Sequence, residues 1–97
     1  MNKIITILEA LVEPKNWELL QQSYSKVDKN DLPSAALNSF LVQDQSTPNL
    51  WKIVTIWQSR TDLDKYRKSV EAPAWIIVFR NAQSEPKLQI TEIIDSK

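Results

Sequence analysis

The chain predicts an α+β fold, a ferredoxin-like βαββαβ order with an antiparallel sheet. Three observations carry this expectation. Trp51 to Trp57 alternates with a period of two and runs straight into a helix-start signal at Ser59 to Asp64. A short polar link, Asp44 to Asn49, joins that strand to the β-periodic stretch before it. An amphipathic helix lies between the first two strands, and further helical and strand patterns follow the third.

Residues 3–12 are rich in Ile and Leu and read as a largely buried first strand. Pro14 is placed where a first helical turn tolerates it. Trp17, Leu20, Tyr24 and Val27 then recur at helical spacing, with Glu18, Gln21, Gln22 and Lys26 facing outward. Lys26 to Pro33 is a solvated loop, and Leu37 to Gln43 is the second strand. The chain contains no glycine, so Asn and Asp are expected wherever the backbone needs a positive φ. In the third strand Trp51, Ile53, Thr55 and Trp57 share one face, and Lys52, Val54 and Ile56 the other. Ser59 or Thr61 opens the next helix, which presents Leu63, Tyr66 and Val70 at helical spacing. The apolar run Trp75 to Phe79 is ambiguous by periodicity: its β-branched residues suit a strand, whereas Pro73 suits a helix start. Lys87 to Asp95 is the last strand, with Leu88, Ile90 and Ile94 on one face.

Composition excludes several classes of function. The 97 residues make one domain with a modest core, since a chain this short buries only roughly 60–70% of its unfolded surface. Without glycine there is neither a P-loop nor a dinucleotide-binding fingerprint. Without cysteine there is no disulfide, thiolate nucleophile or iron–sulfur ligand, which removes an electron-transfer ferredoxin from consideration. Without histidine there is no imidazole base and no zinc site of the usual kind, so no metal is expected. Twelve basic residues balance twelve acidic ones and no basic stripe stands out, so no nucleic-acid partner is expected. No segment approaches membrane-spanning length and the N-terminal apolar run is too short for a signal peptide, so a cytoplasmic protein is expected. Strands one and three are apolar on both faces, while helices can cover only one. The other face therefore needs a partner, and a homodimer joined sheet to sheet is the simplest.

Ile53-Val54-Thr55-Ile56-Trp57-Gln58-Ser59, followed by Leu63, Tyr66 and Ser69, resembles the central strand-helix region of the antibiotic biosynthesis monooxygenase-like proteins. These belong to the dimeric α/β-barrel superfamily of ferredoxin-like domains. The resemblance implies a dimer whose sheets form a barrel, and a pocket in each subunit between helices and sheet, and it tips the run Trp75 to Phe79 towards a second helix or helical turn. Members include cofactor-free oxygenases of aromatic polyketides and haem-degrading monooxygenases, and others have no established catalysis. The haem-degrading branch carries a histidine about ten residues after the position of Tyr66 and an Asn in the first strand. Here Trp75 and Ile76 stand near the first place and Thr6, Leu8 and Glu9 near the second, which argues against haem degradation. Many members also have a Glu where this chain has Thr55.

The candidate pocket residues are Trp57, Tyr66, Tyr24, Trp75 and Asn38. For Trp57, Tyr66 and Tyr24 the plainer reading is core packing, with the indole N–H or phenol taking one partner, whereas Trp75 and Phe79 fit a core or a pocket lid equally well. As site residues they would wall a pocket for a small apolar or aromatic ligand. Asn38, Glu9 and Thr55 are polar groups on apolar strands and must each find a partner, a cavity or an exposed edge. Arg67 and Arg80 suit an anionic ligand, but solvated helix faces explain them more simply. Two functions compete. The first is cofactor-free oxygenation of an aromatic or quinol-type substrate, in which the substrate itself reduces O₂. The second is a non-catalytic binding or interaction module on the same scaffold.

Overall fold

A computed structural model of the chain describes residues 2–97. Strands β1 (Ile4–Leu11), β2 (Ala36–Gln43), β3 (Leu50–Trp57) and β4 (Lys87–Glu92) form one sheet in the order β2-β3-β1-β4. Every neighbouring pair is antiparallel. Helix α1 (Trp17–Lys26) connects β1 to β2, while α2 (Arg60–Ser69) and α3 (Ala74–Asn81) connect β3 to β4. The expected split βαββαβ order is present, with its second crossover built from two helices instead of one.

The ambiguous run is helix α3. Trp75, Val78, Phe79 and Ala82 fall three, four and seven positions apart and are all buried, whereas Ile77 is 45% exposed. This helical stripe, packed against α1 and β1, overrides the β propensity of the branched residues. The last strand is shorter than expected and ends at Glu92. Ile94 lies beyond it and is 78% exposed, so it belongs to no face of the sheet.

Local chemistry explains the boundaries. Ser59, in an extended conformation, caps α2 by accepting a hydrogen bond from the Asp62 N–H at 3.2 Å. Its hydroxyl donates in turn to the Asp62 carboxylate at 2.8 Å. In the β2–β3 turn the Asp44 carboxylate accepts from the Ser46 and Thr47 N–H groups at 3.0 and 2.7 Å. Within the expected solvated loop, Asp28 and Asp31 form a capping box around the 3₁₀ turn Lys29–Asp31. Positive φ does not fall on an Asn or Asp as expected. Among the described residues it falls on Gln83, at φ 61°, just beyond α3. There Ser84 N–H bonds Phe79 C=O at 3.0 Å and Gln83 N–H bonds Arg80 C=O at 2.9 Å, a Schellman ending. Arg80 grips Glu85 across this turn with two hydrogen bonds of 3.0 Å, which hold the Glu85 carboxyl below its usual range. The ion pair therefore supports the turn above the ordinary carboxylate range and lets go as pH falls. The geometry of the helix ending outweighed residue preference, because the Phe79 and Arg80 carbonyls need those two N–H partners.

The helices cover one face of the sheet and divide the core in two. The larger cluster gathers Leu8, Val12, Leu20, Ile53, Val78 and Phe79 under α1 and α3. The smaller gathers Ile4, Trp57 and Leu63 under α2, with Tyr66 and Ile90 against them. The opposite face carries Ile5, Ile7, Val54 and Ile56 at its centre and Phe40, 49% exposed, and Val42, 40% exposed, on β2. Glu9 is on this face too. It is on a central strand, not an edge, and pairs in register with Lys52 on β3 and Lys87 on β4.

Two substitutions test these boundaries. Gln83→Gly relieves the left-handed backbone and should stabilise the fold by about 0.5–1 kcal/mol in denaturant unfolding. Ser59→Ala removes the α2 cap and should cost about 1 kcal/mol in the same measurement.

Candidate functional site

The sheet floor beneath the helices carries a polar row. Ser39, Thr55 and Thr6 follow one another across β2, β3 and β1, and apolar Ile90 ends the line on β4. Thr55 is fully buried, and its hydroxyl lies 3.3 Å from that of Ser39. Thr6 is 7% exposed and accepts a 2.9 Å hydrogen bond from the Trp57 indole N–H. This bond reaches diagonally from the end of β3 to the middle of β1, and it satisfies the one donor of an almost fully buried indole.

Trp57 ends its strand, and Ser59 starts α2 two residues later. That short turn places Leu63 and Tyr66 over the sheet. The Tyr66 ring centre lies 5.5 Å from that of Trp57, with a tilt of 34°. The Tyr66 hydroxyl accepts from the backbone N–H of Ala74 at 3.0 Å, which fastens α2 to the first residue of α3. The next residue, Trp75, stacks on Tyr24 of α1 with ring centres 4.6 Å apart and planes 17° from parallel. Its indole N–H is buried and has no hydrogen-bond partner among the described residues.

Between the two core clusters lies a cavity of about 200 Å³. Thr6, Leu8 and Trp57 supply its floor and end wall, Leu63, Tyr66 and Arg67 come from α2, and Trp75 and Ile76 from α3. A wider cleft of about 450 Å³ lies on the far side of Trp75, bordered by Tyr24, Lys29, Leu37, Asn38 and Ser39. The cleft is larger, but it is more polar and more open to solvent. The cavity is the stronger candidate, because apolar walls around a few convergent polar groups are what a small-molecule site needs.

The five expected site residues are thus divided. Trp57, Tyr66 and Trp75 share the cavity. Tyr24 borders the cleft and reaches the cavity only through its stack on Trp75. Asn38 is exposed on the edge strand β2, beside a bulge between Ala36 and Asn38, and also belongs to the cleft. Asn38 stands opposite Ile56 and shares the open face with Phe40 and Val42 at a period of two, whereas the register shift turns Ala36 to the helix-covered face opposite Trp57. Phe79 is fully buried core, and Arg80 is held by Glu85, so neither lines the cavity. Arg67 does line it, although its helix position alone suggests a solvated residue. Thr6 escaped the sequence reading. Its signal is its register opposite Thr55, a pairing that requires the strand order to be known.

Among the described residues, no group of three or more His, Cys, Asp or Glu side chains lies close enough to hold a metal ion. No helix among them is long and apolar enough to cross a membrane.

No family model and no curated protein sequence matches the chain. Solved structures do match it over nearly its whole length. A candidate antibiotic biosynthesis monooxygenase from Nitrosomonas europaea superposes with a TM-score of 0.72 at 11% identity, covering 96% of this chain and 91% of that one. A conserved protein from Methanosarcina mazei Go1 gives 0.71 at 14% identity, covering 94% and 92%. SnoaB, a cofactor-independent oxygenase from Streptomyces nogalater, gives 0.66 at 11% identity, covering 99% and 97%. At such identities the likeness is one of backbone. The chain has the ferredoxin-like fold shared by the structures named for antibiotic biosynthesis monooxygenases.

Proposed function

We propose that this protein binds a small, planar, largely apolar molecule in the cavity between sheet and helices and oxygenates it without a cofactor. The observation that carries this reading is the aromatic enclosure itself: Trp57, Tyr66 and Trp75 wall about 200 Å³ against a lining that is otherwise aliphatic except for Thr6 and Arg67. The fold likeness to a cofactor-independent oxygenase supports the same direction. The volume lies below the roughly 300–1,000 Å³ of ordinary ligand pockets, which favours one- and two-ring ligands.

In such chemistry the substrate is the reductant. A ring-activated methylene gives up a proton to solvent, and the resulting carbanion passes one electron to O₂. Substrate radical and superoxide combine, a proton returns, and the hydroperoxide loses water to leave a carbonyl. One oxygen atom enters the product and the other leaves as water. The protein's part is to orient the ring, exclude bulk water and hydrogen-bond the substrate oxygen that carries the charge. Trp57 and Trp75 offer flat faces for orientation, and Thr6 and Tyr66 offer hydroxyls.

We further propose that two copies of the chain join through the open sheet face. That face presents Ile5, Ile7, Val54 and Ile56 in one band, flanked by exposed Phe40 and Val42. A second copy supplies a surface of the same chemistry, and a two-fold axis would bring each apolar band onto the other.

Two experiments test these readings. Anthrone-type compounds of two and three rings are incubated with the protein under O₂, with product formation and tryptophan quenching recorded. The two-ring compounds are expected to react faster, and Trp57→Phe to lower turnover about tenfold or more through lost orientation. Absence of both turnover and quenching would count against the site, and quenching without turnover would leave a binding module. Sedimentation at micromolar concentration is expected to give a dimer that Val54→Asp converts to folded monomer. A wild-type monomer there ends the dimer proposal.

A further inference from the structure

Two spaces lie over the sheet floor, and a single side chain borders both. The cavity of about 200 Å³ and the cleft of about 450 Å³ share Trp75 and no other lining residue among those described. The floor beneath them is continuous. Ser39 borders the cleft, Thr6 borders the cavity, and Thr55 stands in register between them on β3. Thr55 is fully buried, so the way from one space to the other is filled by protein.

Trp75 is fixed at its root and held at its ring by packing alone. The Tyr66 hydroxyl accepts from the N–H of the preceding residue, Ala74, at 3.0 Å. The indole lies against Tyr24 with ring centres 4.6 Å apart, and the residue is 7% exposed. Its N–H is buried and has no hydrogen-bond partner among the described residues. A buried donor without an acceptor opposes this position of the ring. Shape, not hydrogen bonding, is what the indole contributes here.

We propose that Trp75 is the residue that sets ligand size: its indole walls the cavity off from the cleft and restricts the site to compact one- and two-ring aromatic molecules. This inference rests on the proposed ligand site and deepens it. Protein interiors fill about three-quarters of their volume, so a cavity of about 200 Å³ takes roughly 150 Å³ of ligand. Two fused rings with a hydroxyl group fit that space, and a third ring in line exceeds it. Along the floor the third ring would run from Thr6 towards Ser39, where the partition stands against it. In Trp75→Leu the two spaces join over the hydroxyl row of Ser39, Thr55 and Thr6. That change orphans no hydrogen-bond partner, because the indole N–H has none, so its cost to the fold is one of packing.

The test uses 2-naphthol and 2-anthrol, which carry the same hydroxyl group on two and three linear rings, and reads binding of each by its own fluorescence. The wild type is expected to bind 2-naphthol at least about tenfold more tightly than 2-anthrol. Trp75→Leu should erase that preference through a gain of about tenfold or more for 2-anthrol, and Trp75→Phe, which keeps a ring beside Tyr24, through a gain of about threefold. The third ring adds apolar surface, so a site without the partition favours 2-anthrol. Equal or tighter binding of 2-anthrol by the wild type therefore overturns the assignment and leaves the ligand site standing. Variants that lose affinity for both compounds in equal measure reveal a merely structural tryptophan and overturn it as well. If Trp75→Leu does not fold, the wild-type preference and Trp75→Phe decide, and absence of the gain in Trp75→Phe overturns the assignment. Failure of the wild type to bind either compound overturns the ligand site itself, and this inference with it.

Discussion

The hydrogen bond from the Trp57 indole to the Thr6 hydroxyl is the constraint on which the site depends. It is buried, 2.9 Å long, and joins residues 51 positions apart in sequence. Without it, a bulky indole would lose its only polar partner inside the fold, a cost of about 1–3 kcal/mol. With it, the ring is held against the sheet, where it can support Leu63 and Tyr66 from α2. The same bond takes one of the two lone pairs of the Thr6 oxygen. One interaction therefore sets the position of a wall and the hydrogen-bonding character of the floor.

From that anchor the helices are placed by short, local devices. Ser59 starts α2 two residues after Trp57, so the helix has no freedom to drift from the strand end. Tyr66 then hands its hydroxyl to the first N–H of α3, an unpaired donor at any helix start. Trp75 follows at once and closes the far side by stacking on Tyr24. This succession explains why the core is split. Three short helices tied at these points cannot cover the sheet without a gap between the α1–α3 cluster and the α2 cluster. The gap is the cavity, and its lining mixes residues from both halves of the core.

The other face of the sheet follows a different rule. Its central strands carry β-branched side chains outward, as strands buried on both faces do. Around that apolar band, Glu9 lies in register between Lys52 and Lys87. The two faces thus differ in kind: one encloses a cavity, and the other presents an apolar band that the helices leave uncovered.

Much of this was legible in the residues. Period-two alternation from Trp51 to Trp57 gave a strand with one buried face, and Ser59 or Thr61 with Asp62 or Asp64 marked the helix start, because both signals are local. Trp57, Tyr66 and Trp75 were legible as candidate site residues for a similar reason, being large aromatics at positions that must face inward. Other features depend on contacts between distant segments. The run Trp75 to Phe79 became a helix because its buried stripe meets α1, which propensity cannot register. Asn38 left the site because the helices cover the sheet face opposite to the one it shares with Phe40 and Val42, and Gln83 took the left-handed position because α3's last carbonyls required it. Thr6 entered the site only when the strand order set it opposite Thr55 and within reach of Trp57. Local sequence chemistry determined the elements and their inward-facing residues, whereas tertiary packing alone decided which of those residues share a cavity.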